Sequence, residues 1–152
     1  MTASRFRDRR KKRVSERTQQ VEAPIPTLTK LGLRDLADLL LLDDPNAVEA
    51  CIQFVEADTE GIWHGRARAM MCRRFKHCTL SALQRQRLVF CITERLRSGH
   101  FSEQFKDQLR LALHLDIQTT LAVALACRTD SRNYVRHYAE WLLAHHSNTI
   151  NT

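Results

Sequence analysis

Five cysteines and seven histidines are the residues of this 152-residue chain best suited to hold a metal or attack a substrate. His64, Cys72, His77 and Cys78 lie nearest one another in sequence. If residues 62–77 form one helix, His64 and Cys72 are eight positions apart and point about 80° away from each other. Zinc sites draw their ligands in pairs two to five apart, so this spacing argues against a metal, and no cofactor is expected. Cys51, Cys72, Cys78, Cys91 and Cys127 form no CxxC and, being odd in number, cannot all pair. Most fall at apolar helix positions, where a free thiol acts as a small hydrophobe. That usage suits a reducing compartment and predicts an intracellular protein, cytoplasmic or nuclear.

Other catalytic signatures fail on their context. "GIWHG" (61–65) has two glycines but no strand before it and no Lys-Ser/Thr pair after it, so it is no phosphate loop. Asp35 with Asp38, and Asp43 with Asp44, suit helix ends and solvent better than paired acid–base work. No catalytic residue is nominated and the chain is read as non-enzymatic.

Basic side chains carry the sharper signal. Residues 1–20 hold eight Lys/Arg against two acids, net +6. Arg5, Arg7, Arg9, Arg10, Lys11, Lys12 and Arg13 crowd into nine positions, a pattern fit for an address signal, a nucleic-acid arm or an anionic surface. Phe6 is the one aromatic within that run, so it predicts non-specific phosphate attraction and no base readout. Further on, residues 30–60 hold two bases and eight acids, net −6, and residues 61–98 nine bases and one acid, net +8. On a helix over 62–77, Arg66, Arg73 and Lys76 share an arc opposite Trp63, Ala67, Met70 and Met71. On the next, Arg87 and Arg97 share an outer face with Phe90. Together these five cations predict a basic ridge able to grip a polyanion. The competing reading is that the arginines pair with the acids of 30–60.

The elements that must position these residues are helices. Few glycines and prolines, and no alternating β-branched run, predict an all-α chain. The expected organisation is a disordered basic arm and Pro-containing linker over 1–27, one helical domain over 28–146 and a polar tail over 147–152. Asp44 with Pro45, the Ser81–Gln84 capping box, Gly99, Ser102 and Asp116 mark helix boundaries. They divide the domain into about seven short helices with connectors of two to five residues, stacked as antiparallel pairs. "IQTTLAVALACR", apolar nearly all round, is expected to be the most buried helix. "LLLL" (39–42) and "LAVALAC" (121–127) are too short to span a bilayer, and the first thirty residues hold no apolar run, so neither membrane insertion nor a secretory signal is expected.

"DSRNYVRHYAEWLL" (130–143) places Val135-Arg136, Ala139 and Leu142 after Asp130. This resembles the second half of a HEAT-type repeat. Asp43 precedes Val48, Ile52 and Val55 at the same offsets, and Asp58 precedes Trp63, Ala67 and Met70, with Glu49 and His64 at the arginine place. The resemblance implies a stacked α-solenoid that binds and does not catalyse; periodicity alone fits a non-repeating helical bundle equally well. Two functions remain: an adaptor offering a helical surface to a protein partner, or an accessory protein holding nucleic acid through arm and ridge.

Overall fold

Local signals in the sequence set most helix boundaries. Thr29 Oγ1 accepts from Gly32 N and opens α1 (Lys30–Leu40); Asp44 accepts from Ala47 N and opens α2 (Pro45–Ala57), with proline at the first helical position. Next come α3 (His64–Phe75) and α4 (Ala82–Ser98), the latter held by the reciprocal Ser81–Gln84 box and stopped by Gly99 at φ 73°. α5 (Phe105–Leu115), α6 (Ile117–Cys127) and α7 (Asn133–Ile150) complete the chain. This structure, a computed structural model, describes residues 29–150, with side chains to 147. The basic arm of 1–27 therefore lies outside the described residues. Among those described there are seven helices and no strand.

Helices two apart in sequence pack side by side. α1 lies on α3 and α3 on α5, while α2 lies on α4 and α4 on α6. The two rows close on each other through α1/α2, α2/α3, α4/α5, α5/α6, α6/α7 and α4/α7. α7 meets α5 through Tyr138 against Phe105, ring centroids 5.4 Å apart, and Trp141 against Arg110. Between the rows runs one continuous core, with Phe54, Phe75, Phe105, Ile52, Leu88, Ile92, Leu109 and Leu142 fully enclosed. Each buried side chain of this size stabilises the fold by about 1.5–3 kcal/mol.

Four details depart from the sequence expectation. The core face of α3 is His64, Arg68, Ala69, Met71, Cys72 and Phe75, with Trp63 exposed. The helix starts two residues later than the expected 62, and an arginine is drawn inward by partners no local pattern reveals. α5 starts at Phe105, not Ser102, because Gln104 turns left-handed (φ 58°) and ends the preceding turn. α6 is not the most buried helix. It buries Thr120, Val123, Ala124 and Cys127, but Ile117 and Leu125 are 42% and 51% exposed, since no helix covers its far side. The expected tail from Ser147 continues α7 as far as Ile150, with no glycine or proline to stop it. The connectors differ too: expected at two to five residues, they run from six down to one, Asp116, which caps α5 and α6 alike.

Candidate functional site

The predicted ridge is where the sequence placed most of its functional weight. α3 packs mainly on α1 and α5, and α4 on α2, α5 and α6, so the two helices do not lie as one basic strip. Arg66 Nε donates to Glu103 Oε1 at 3.0 Å, and Arg73 Nη1 to Asp107 Oδ2 at 2.7 Å, both across to the α5 side. Arg87 faces the other way and clamps α2, reaching Glu49 at 2.7 Å and Glu56 at 2.5 Å. Those hydrogen bonds, to Glu56 first and then Glu49, hold its guanidinium well above the usual arginine range. Burial opposes the charge on Glu49, but hydrogen bonds from Gln84 and Arg87 outweigh it and its carboxyl titrates below the usual value. Arg97 pairs with Glu94 at 2.7 Å on its own helix. Lys76 is half-buried and has no carboxylate partner among the described residues.

The charge segregation of the sequence thus becomes complementarity within the fold. Arg74 meets Asp38 at 3.1 Å, and Arg68 and Arg95 stand 3.7 and 3.6 Å from Asp58 Oδ1. Thr79 Oγ1 donates to Asp43 Oδ2 at 2.7 Å, which lowers that carboxyl as well. Arg5, Arg7, Arg9, Arg10, Lys11, Lys12 and Arg13 belong to the arm outside the described residues.

Sequence reasoning missed the arginine knot that positions α4. Arg95 is 7% exposed and Arg68 3%. Arg95 Nη2 donates to the Val55 and Glu56 carbonyls, and Nη1 to Gln108 Oε1 at 2.8 Å; Gln108 in turn donates to Ser102 Oγ. Arg68 Nη1 donates to the Thr59 carbonyl at 2.7 Å, while its Nε is buried without a hydrogen bond. Burial pulls the Arg68 guanidinium below its ordinary value, and Asp58 works against that. The carbonyls at the end of a helix lack intrahelical partners, and these two guanidinium groups serve the end of α2 and the loop after it. One signal was legible: Arg95 and Arg68 sit at helical spacing among apolar residues.

Arg87 and Arg95 fix α4 to α2, and the outer face of α4 carries two large apolar side chains beside Arg87. There Leu83 and Phe90, seven residues apart and so on one stripe, are 64% and 68% exposed. On α6, which packs against α4, Ile117, Leu121 and Leu125 follow at i, i+4 and i+8 on the uncovered side, with Ile117 and Leu125 exposed. Large apolar side chains in this density on two touching helices leave surface whose burial is still to be gained.

The metal candidates are not gathered. His64 Nδ1 lies 2.7 Å from Thr59 Oγ1, Cys72 is fully enclosed, His77 is exposed, and Cys78 donates to the Leu40 and Arg74 carbonyls. Among the described residues no group of three or more His, Cys, Asp or Glu is arranged to hold a metal ion. No described helix is long and apolar enough to cross a membrane. No family model, curated protein or solved structure matches the chain.

Proposed function

We propose that this protein is a non-enzymatic adaptor whose α4–α6 face docks another protein. The observation that carries the reading is the exposure of Phe90, Leu83, Leu125 and Ile117 on two packed helices, one of them tied to its neighbours by Arg87 and Arg95. Rigid presentation reduces the ordering penalty on association, and an aromatic such as Phe90 is a favoured central anchor. The ionic flank toward α2 is already neutralised internally, which favours apolar contact over charge steering there. Packing between every second helix supports the HEAT-like reading. The five free thiols, three of them buried, support a reducing compartment.

The test is a photo-crosslinking side chain placed at position 90, 83 or 125 of the full chain in its native cell. A discrete adduct with one other protein, lost on Leu125→Asp while helix content is unchanged, is expected from position 90. Adducts from none of the three positions, or adducts indifferent to Leu125→Asp, would refute the reading.

A further inference from the structure

Both tryptophans of the chain lie on the row formed by α1, α3, α5 and α7, and each is bracketed by one lysine and one arginine. Lys30 Nζ stands 3.7 Å from the Trp63 ring centroid and the Arg66 guanidinium 5.1 Å from it. Lys106 Nζ and the Arg110 guanidinium stand 5.1 and 5.2 Å from the Trp141 ring. His145 stacks on that indole at 5.0 Å. The two stations belong to one surface. Arg66 and Arg73 are seven residues apart on the same side of α3, about 10 Å along its axis. Arg66 reaches Glu103, and Arg73 reaches Asp107, which also takes Arg110 at 3.1 Å.

We propose that this row is a binding track for single-stranded nucleic acid, with Trp63 and Trp141 as base-stacking stations. Three observations converge on that ligand and not on a duplex or a protein. First, among the described residues Lys30 and Lys106 have only an aromatic face as partner. A π face orients a cation without neutralising it, so the charge remains available to a phosphate, unlike that of the paired ridge arginines. Second, unpaired bases stack on aromatics spaced along a basic surface, an arrangement that binds strands with little sequence preference; Trp63 is exposed, whereas Trp141 is half-buried with His145 stacked on it, so a base taking that station displaces the imidazole. Glu103 and Asp107 occupy part of the arginine charge, which makes the lysines the principal phosphate contacts. Third, Trp63 is a bulky residue in the left-handed region (φ 72°) and 38% exposed. That conformation is rare for such a side chain, and in it the indole lies at the surface beside Lys30. This inference is independent of the α4–α6 docking reading, which concerns other helices.

The test uses the full chain and fluorescein-labelled oligo(dT) and oligo(U) of about 20 nucleotides, against a duplex of equal length, at low and physiological salt. The unpaired strands are expected to bind more tightly than the duplex and to quench tryptophan fluorescence. Trp63→Asn and Trp141→Leu are each expected to weaken binding roughly five- to hundredfold, and Trp63→Phe to retain most of it, with helix content unchanged by circular dichroism. Should Trp63→Asn fail to fold, Trp63→Phe with Trp141→Phe still reads the quenching of each station singly. Changing Arg9, Arg10, Lys11 and Lys12 to Gln should reduce the salt dependence while the quenching persists. Equal affinity for the duplex would overturn the proposal. So would binding that vanishes with the arm substitutions while ignoring both tryptophans, or tryptophan spectra that respond to anionic phospholipid vesicles and to no oligonucleotide.

Discussion

Replacing Arg95 by Met tests whether a guanidinium, more than apolar contact, joins α2, α4 and α5. Methionine fills much of the same volume, so the change isolates the polar contribution. Lost with it are the bonds to the Val55 and Glu56 carbonyls and the 2.8 Å bond to Gln108 Oε1. Two buried acceptors at the end of a helix are left without their donor, and Asp58 keeps Arg68 as its one guanidinium partner. Hydrogen bonds to charged groups contribute about 1.5–3 kcal/mol each, and breaking a buried ionic cluster from one side costs about 3–5 kcal/mol. The expected loss is therefore about 3–5 kcal/mol, or a Tm lowered by roughly 10–20 °C for a domain of this size. Urea melts followed at 222 nm measure it, with an unchanged m-value showing that the unfolding transition is the same. Adding Gln108→Leu to Arg95→Met should return part of the loss, since one orphaned acceptor is removed. Arg95→Lys should fall between, because an ammonium cannot reproduce the fork. A loss below about 1 kcal/mol for Arg95→Met would refute the reasoning and reduce the arginine to a filler of space.

Two further outcomes follow from the ionisable groups. The side-chain hydrogen bond from Arg132, backed by its backbone N–H, holds the Asp130 carboxyl at about 2. A carboxyl depressed by folding contributes stability above its unfolded pKa near 4 and loses it as pH falls toward 2; a carbon-13 titration should place its midpoint near 2, and one near 4 would show the Asp130–Arg132 pair absent in solution. Burial pushes Cys51 and Cys72 far above the usual thiol range and Cys91 to about 11. Alkylation of the native protein at pH 8, read by mass spectrometry, should therefore modify half-buried Cys78 well before Cys51 or Cys72; early labelling of Cys72 would show that the core opens readily.

Much of the helical frame was legible because caps act locally. Thr29, Asp44, Ser81 and Asp116 each bind a backbone N–H three residues on, a geometry that a four-residue window contains. The face of α3 was misread for the opposite reason. Arg68 is buried because Asp58 and the Thr59 carbonyl await it across a left-handed turn, and neither partner follows from helical period. The ridge met the same obstacle: a wheel projects Arg66, Arg73, Arg87 and Arg97 outward but contains no neighbouring helix. α6 misled by composition, since an apolar helix placed last in its row has nothing beyond it to lean on. The tryptophan stations depended on both failures being corrected, because Lys30 reaches Trp63 from α1, and Lys106 and Arg110 reach Trp141 from α5.

Asp116 has a further consequence. As the single residue between α5 and α6, its backbone N–H bonds to the Ala112 carbonyl, and its carboxylate accepts from Thr119 N and Oγ1. Such a joint has no slack. An inserted residue would rotate everything downstream by about 100° and swing Val123 and Ala124 away from their neighbours. Length variation among descendants of this chain should therefore gather in the six-residue links before α3, α4 and α5 and spare this corner, which acts as a rigid elbow fixing the angle at which the last two helices meet the rest.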